Sequence, residues 1–170
     1  MPCYTDNTAR LPVGGVDDKV RRAALRFSLD GLPDGAWVQS ARLDLFLDGA
    51  CEEPRRRAGP CLSREYTVDA HRIRSTRWTK EREVDPDPFV AAETGVVTDY
   101  PDWSSWDLTA LVRDWASGKA PNDGVLLQLM DGEEDFGVAR PYFPSASFPN
   151  AALRPRLVVE LAVRTTGPAP

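Results

Sequence analysis

The sequence predicts an all-β protein, an antiparallel jelly-roll-like β-sandwich with one short α-helix at about residues 107–117. Short segments in which apolar and polar residues alternate recur along the chain, as in strands with one face in the core and one in water. Clusters of Gly, Pro, Asn and Asp separate these segments. One stretch has the apolar spacing of a helix. With 170 residues, 42% of them hydrophobic, the chain is long enough for one such domain.

Three segments alternate most clearly: residues 22–29, 37–47 and 156–164. Their apolar positions, which we expect to face the core, are Ala23, Leu25, Phe27 and Leu29, then Ala41, Leu43, Leu45 and Leu47, then Leu157, Val159, Leu161 and Val163. The intervening positions, Ala24 among them, are predicted to face solvent. Further strands are predicted over residues 66–74, 90–97, 125–130 and 136–140, and residues 48–63, 75–89 and 141–152 are predicted to be loops.

The chain therefore divides into three parts. Residues 1–20 are predicted to be an N-terminal arm or edge segment, because Pro12, Gly14 and Gly15 interrupt any regular pattern. Residues 21–164 form the sandwich, and residues 165–170 are a flexible C-terminal tail by composition.

The predicted helix has an apolar face and recognisable ends. The residues at spacing i, i+3, i+4 and i+7 are Leu108, Leu111, Val112 and Trp115. Asp107 precedes them, and its carboxylate can accept the free backbone N–H groups of the first turn. Gly118 follows at the position that favours a left-handed residue, and Pro121 prevents continuation.

Charge and hydropathy exclude several classes of function. A formal net charge of -5 argues against a general nucleic-acid binder, which would need a basic face. The sequence has no apolar run of about 18 residues, so we expect no membrane span. Its first residues have no apolar signal-peptide core. We therefore expect an extracellular or particle-surface location after release, and otherwise a cytoplasmic one.

The cysteines and one acidic turn are the candidates for cross-linking and metal binding. Cys51 and Cys61 flank one loop and can close it as a disulfide in an oxidising environment, which leaves Cys3 free or paired between chains. The spacing of the cysteines is not that of a zinc site. The turn that contains Asp131, Glu133 and Asp135 is a candidate Ca²⁺ site because carboxylates are oxygen ligands, although it lacks the full spacing of a known calcium loop.

Catalytic residues are sparse in this chain. His71 is the single histidine, and its place within a predicted strand favours a packed side chain over a general base. No nucleophile motif surrounds it. The acidic turn favours a solvated surface over the paired carboxylates of a glycosidase. We therefore predict that the protein is not an enzyme, and we retain a small glycoside-acting enzyme only as the third alternative.

The aromatic residues are more informative, because sugars bind by laying C–H faces on aromatic rings beside polar side chains. A proline-stiffened loop carries Tyr142, Phe143 and Phe148, next to Arg140. Tyr100 and Trp103 precede the helix. We predict that these six residues form a glycan or protein-partner surface, and the alternative for each ring is packing against the sandwich.

Three stretches resemble DNRLRE-type domains. They are RRAALRFSLDGLPDGAWVQSARLDLFL, WSSWDLTALVRDWASGKAPNDGVLLQL and ALRPRLVVEL, and the resemblance runs from about Arg21 to Val163. The second stretch is the most specific, with a strand, a capped helix that carries Val112 and Trp115, and an Asn-x-Gly turn. These domains are similar to carbohydrate-binding modules of bacterial and archaeal surface proteins and polysaccharide enzymes. The same motif also resembles the structural arm region of growth-factor propeptides.

The resemblance implies a non-catalytic surface adhesion or decoration module, with a sandwich of the glycan-binding type. Its expected partners are a polysaccharide or cell-surface glycan, or protein neighbours in a larger assembly. The alternative is a purely structural subunit of a phage particle or injection apparatus, which assembles through protein–protein contacts and can form a homo-oligomer. No cofactor is expected apart from the structural Ca²⁺ considered above.

Overall fold

The computed structural model describes residues 9–16, 19–33, 36–48, 65–74, 86–97, 101–130 and 141–162. Its strands are β1 Arg10–Pro12, β2 Gly14–Val16, β3 Lys19–Arg21, β4 Ala23–Leu25, β5 Trp37–Phe46, β6 Glu65–Ile73, β7 Pro86–Val97, β8 Trp103–Asp107, β9 Val125–Leu129, β10 Tyr142–Pro144 and β11 Arg156–Ala162. One α-helix, α1, spans Thr109–Ala116, and a single 3₁₀ turn spans Ala151–Leu153.

Two antiparallel sheets form the body of the protein. One has three strands in the order β11-β5-β8, and the other has four in the order β4-β9-β6-β7. The pairs β1–β10 and β2–β3 form two small additional sheets, also antiparallel. Apolar residues from both larger sheets belong to one buried cluster, which includes Leu43 and Leu45 from one sheet and Val68 and Leu127 from the other. The predicted all-β architecture with one short helix is therefore confirmed, and its two layers are consistent with a sandwich.

Trp106 joins the two sheets at the centre of the core. It lies on β8 opposite Leu43, has no exposed surface, and its Nε1–H donates to the carbonyl oxygen of Val68 at 2.8 Å. A buried indole N–H needs such a partner, because an unpaired donor in the core is costly. The ring of Phe143 meets Trp106 edge-on, with centroids 6.0 Å apart. One aromatic side chain thus ties the three-stranded sheet to the four-stranded sheet.

The helix packs against β5 and adds its apolar face to this core. The residues predicted for its apolar face, Leu108, Leu111, Val112 and Trp115, are all buried. It begins at Thr109, two residues later than predicted, because Trp103–Asp107 continues as a strand. The N-cap residue is Leu108 and not Asp107 as predicted, because the chain is still in strand β8 at Asp107, and no side chain caps the helix at Leu108. From one residue earlier, the Asp107 carboxylate accepts the backbone N–H of Thr109 at 2.8 Å and its hydroxyl at 2.6 Å. Gly118 has a φ of 73°, the left-handed conformation expected after the helix.

Several predictions of local structure are wrong. The strand predicted over residues 22–29 ends at Leu25, and Tyr142–Pro144, predicted to be loop, form β10. Residues 86–89 were predicted to be loop but belong to β7, which is the terminal strand of the four-stranded sheet among the described residues. A proline is tolerated on an edge strand because its missing N–H removes no bond from the ladder. Ala24 was predicted to face solvent but is 4% exposed, since it packs with Ile73 and Leu126 on the second face of the four-stranded sheet.

Two short strands outside the larger sheets, β1 and β10, also contribute to the core. Leu11 of β1 lies opposite Phe143 of β10, and Leu11, Val13 and Phe143 are all buried. The predicted arm and the predicted aromatic loop thus meet as a short antiparallel pair. Among the described residues, no helix is both long enough and apolar enough to cross a bilayer.

Candidate binding surface on the three-stranded sheet

The side of the three-stranded sheet that faces away from the core combines charged and aromatic side chains. These residues alternate with the buried Ala41, Leu43 and Leu45 along β5 and with their counterparts on the neighbouring strands. We call this surface the outer face. Its members are Ser40, Arg42, Asp44 and Phe46 on β5, Trp103, Ser105 and Asp107 on β8, and Arg156, Val158 and Glu160 on β11.

Asp44 lies at the centre of the outer face and is held by its neighbours. The register places it between Arg156 on β11 and Ser105 on β8. Arg42 donates from Nε to Oδ1 at 2.6 Å and from Nη2 to Oδ2 at 3.1 Å, and the Ser105 hydroxyl donates to Oδ1 at 2.7 Å. The Asp44 side chain is only 13% exposed as a result.

The electrostatics keep Asp44 ionised. Burial by itself raises the pKa of this carboxyl group, but the hydrogen bonds from Arg42 and Ser105 and the charges of Arg42 and Arg156 outweigh burial and lower the pKa. The pKa of Asp107 is also lowered, mainly because its carboxylate accepts hydrogen bonds from Thr109. The outer face therefore presents fixed negative charge interleaved with guanidinium groups at neutral pH.

Aromatic rings occupy one end of the outer face. Trp103 and Phe46 are register partners, with ring centroids 5.6 Å apart and planes at 65°. The guanidinium carbon of Arg156 lies 4.3 Å from the centroid of Trp103, the distance of a cation–π contact. Arg156 also donates to the carbonyl oxygen of Ala152. These contacts hold Trp103 and Arg156 together as one half-exposed aromatic and cationic unit.

The opposite end of β5 carries another exposed ring. Trp37 is 58% exposed, and the guanidinium carbon of Arg113 from α1 lies 5.7 Å from its ring centroid. Arg113 also donates to the carbonyl oxygens of Val38 and Gln39, each at 2.8 Å. The pairing of β5 with β11 changes register at this point. Arg113 thus anchors the helix to an irregular part of the strand and places a cation beside Trp37.

The arrangement suits recognition of an extended polar ligand. From Trp37 to Phe46 the strand spans roughly 30 Å at about 3.3 Å per residue. Rings lie near both ends, and between them are hydroxyl, carboxylate and guanidinium groups that can donate and accept hydrogen bonds. Because Asp44, Ser105 and Trp103 are already held by contacts within the protein, little side-chain ordering would be needed on binding.

The structure separates the aromatic residues that the sequence placed on one surface. Trp103 lies on the outer face, whereas Phe143 has no exposed surface and packs against Trp106, so the predicted role of Phe143 in a binding surface is wrong. The reason is strand alternation, because Phe143 lies on β10 and faces the core. Tyr142 and Phe148 are half-buried, and the Arg10 guanidinium carbon lies 5.9 Å from the centroid of Phe148. The predicted site residues Tyr100 and Arg140 lie outside the described residues.

Most of the outer face was not predicted as a site. The sequence did indicate this face, because Arg42 and Asp44 alternate with the predicted core positions in residues 37–47 and are predicted to point away from the core. What the sequence does not contain is the register that places Arg156 and Ser105 on either side of Asp44. Side chains more than 60 residues apart along the chain therefore meet through strand pairing alone.

His71 lies away from this surface. It is on β6 of the four-stranded sheet and is 6% exposed, as expected for a packed strand histidine. Its Nε2 is 3.8 Å from Oδ2 of the buried Asp69, and Gln128 of β9 lies opposite Asp69. These three polar residues lie on the same side of the sheet as Ala24 and Leu126, so the imidazole is remote from the outer face.

The disulfide and the calcium site stay predictions. Cys51 and Cys61, like Cys3, lie outside the described residues, as do Asp131, Glu133 and Asp135. Within the described part of the chain, no group of three or more His, Cys, Asp or Glu side chains is arranged to hold a metal ion.

Comparison with known proteins adds no family to this description. No protein-family model matches the chain, and no curated protein sequence matches it. The resemblance to DNRLRE-type domains, which depends on the motifs at residues 21–47, 103–129 and 152–161, therefore stays a prediction.

Proposed function

We propose that this protein is a non-catalytic surface adhesion or decoration module that binds polysaccharide on the outer face of its three-stranded sheet. The observation that carries the proposal is the unit formed by Trp103, Arg156 and the fixed Asp44. It places an aromatic ring, a cation and an anion side by side on one open sheet surface. The DNRLRE-like motifs agree with the same class of ligand.

The chemistry of each group fits a saccharide. The C–H face of a sugar ring packs well on an indole, and sugar hydroxyls both donate and accept hydrogen bonds. Asp44 can accept from such hydroxyls, and Arg42 and Arg156 can donate to them. Arg156 covers one face of the Trp103 ring, so a sugar would pack on the remaining exposed surface of the indole, beside the guanidinium.

Catalysis is not part of the proposal. Glycoside hydrolysis needs one carboxyl group with a raised pKa as the general acid, beside a second carboxyl group that stays ionised. On the outer face, the pKa of Asp44 and the pKa of Asp107 are both lowered. The buried His71 lies in the other sheet and does not reach this surface.

A glycan-array survey first identifies candidate ligands. Binding is then measured by affinity electrophoresis in gels that contain soluble polysaccharides, one series of neutral polymers and one series of acidic polymers. We expect the wild-type protein to be retarded by at least one polymer. Trp103→Ala and Asp44→Asn should weaken retardation about tenfold or more, which corresponds to at least 1.4 kcal/mol. Circular dichroism spectra and thermal melts establish that each variant is folded.

The matched control is Tyr142→Ala, which removes an aromatic ring from the segment predicted as a platform and leaves the outer face intact. It should bind like the wild type. Loss of binding in Tyr142→Ala with full binding in Trp103→Ala would move the ligand to the β10 segment and refute the assignment to the outer face. A wild-type protein that no polysaccharide retards would refute the glycan function and favour the structural alternative.

A further inference from the structure

Strand β11 forms one border of the three-stranded sheet. Among the described residues it pairs with β5 and with no other strand, so the backbone N–H and C=O groups on its far side form an open edge. Val158 in its middle is 39% exposed, and the inward Leu157 and Val159 are only partly buried. The strand contains neither Lys nor Pro, two residues that commonly prevent edges from pairing with another chain.

The sequence of this edge is complementary to itself. Regular pairing with β5 runs from Arg156 to Glu160 before the register shifts, and Val158 is the midpoint of that segment. Arg156, Val158 and Glu160 all point to the outer face. If two such strands pair antiparallel about Val158, Arg156 of each copy lies opposite Glu160 of the other. Opposite charges directly across a strand pair are stabilising, and like charges are destabilising.

We propose that two copies of this chain associate through antiparallel pairing of β11 with β11, with the two Val158 residues at the two-fold axis. Such an interface is isologous, so each attractive contact occurs twice. Shifting the centre by one residue in either direction loses the pairing of Arg156 with Glu160. With the centre at Val158, the partly buried Leu157 of each copy lies opposite Val159 of the other copy, and each side chain covers the other.

The two charged side chains are already held near the sheet. Glu160 accepts a hydrogen bond from the Ser40 hydroxyl at 2.7 Å, and Arg156 lies over Trp103. Both contacts are made on the β5 side of β11, so pairing of Arg156 with Glu160 of the second copy exchanges these contacts for the new charge pairs. Association would join the two outer faces into one six-stranded surface. The gain in avidity that this gives depends on the proposed function, whereas the association itself does not.

Sedimentation equilibrium of the full chain over a wide concentration range tests the interface directly. We expect the wild type to fit a monomer–dimer equilibrium. Val158→Lys, which places like charges at the axis, should weaken dimerisation at least tenfold. Met130→Lys is the matched control because Met130 is another exposed apolar residue, 44% exposed, at the end of β9 in the other sheet. This variant should dimerise like the wild type.

A charge exchange makes the test independent of folding defects in any single variant. Arg156→Glu and Glu160→Arg should each dimerise poorly alone, because each places like charges opposite one another twice. An equimolar mixture of the two variants should form a heterodimer, since every pair across the interface is again of opposite charge. The double variant R156E/E160R should regain the homodimer.

The outcomes separate this proposal from the glycan proposal. A wild type that stays monomeric up to millimolar concentration would overturn the proposed interface, and so would a Val158→Lys variant that dimerises as well as the wild type. Failure of the mixed variants to associate would show that Arg156 does not face Glu160. None of these results depends on a saccharide, so polysaccharide binding can succeed or fail separately.

Discussion

The bond between Trp106 and Val68 gives the most informative test of the fold. Trp106→Phe keeps an aromatic ring against Phe143 but removes the Nε1–H that donates to the Val68 carbonyl at 2.8 Å in the opposite sheet. It also removes about three heavy atoms from a side chain that has no exposed surface. The substitution therefore perturbs the contact between the two sheets and leaves the strand pattern unchanged.

The expected cost combines two effects. Loss of a buried hydrogen bond costs about 1 kcal/mol. The lost apolar contact and the space left in the core cost about 2 kcal/mol, at about 0.8 kcal/mol for each methylene-sized group. The free energy of unfolding should thus fall by about 3 kcal/mol, a large fraction of the 5–15 kcal/mol typical of a domain.

Urea unfolding followed by far-ultraviolet circular dichroism measures this loss without dependence on tryptophan fluorescence. Trp37→Phe is the matched control, because Trp37 is 58% exposed and the same change there should alter the free energy of unfolding by no more than about 0.5 kcal/mol. The slope of the free energy of unfolding against urea concentration should be the same in both variants as in the wild type. Equal destabilisation by the two substitutions, or a loss below about 1 kcal/mol for Trp106→Phe, would refute the role assigned to Trp106.

The remaining predictions concern glycines and carboxylates. Both Gly118 and Gly124 have positive φ, but a Cβ at Gly118 meets open space, whereas one at Gly124 would lie 2.3 Å from the Leu25 carbonyl oxygen. Alanine should therefore cost about 1 kcal/mol at Gly118 and about 3 kcal/mol or more at Gly124 in urea unfolding; equal losses would contradict the close approach. Because the folded-state pKa of Asp44 is below its ordinary value of 3.8, its contribution to stability is complete above that value and is lost as the pH falls through the lower folded-state pKa. Wild type should exceed Asp44→Asn in stability at about pH 6, and the difference should shrink towards about pH 2; a constant difference would contradict the lowered pKa. Asp107→Ala should cost about 1 kcal/mol through loss of the helix-start contacts, and Ser104→Ala on the same strand serves as the control in the same assay.

Local patterns in the sequence were sufficient for the main elements of the fold. The alternation in residues 37–47 and 156–164 identified two strands of the same sheet, and the i, i+3, i+4, i+7 spacing identified the buried face of α1. Such patterns are readable because burial acts on each element separately and selects apolar residues at its own period. The strand at Pro86–Val97 was predicted too short, because tolerance of proline depends on whether a strand lies at an edge.

The candidate site was only partly predictable. Trp103 was identified from its residue type, but the same argument also selected Phe143, which the structure places in the core. Residue type shows what a side chain can bind, and it does not show which way the side chain faces. That direction is fixed by the strand to which a residue belongs and by the layer that packs on it.

The sequence by itself determined that this chain is built from antiparallel strands with one short helix, because periodicity and turn residues are local properties. Only the tertiary structure decided that Arg156, Asp44 and Ser105 form one row, since strand register depends on pairing between distant segments. The tertiary structure also decided that Trp106 reaches Val68 across the core and that β11 is the terminal strand of its sheet within the described part of the chain. These features depend on which surfaces two sheets bury against each other, and that is a property of the whole chain.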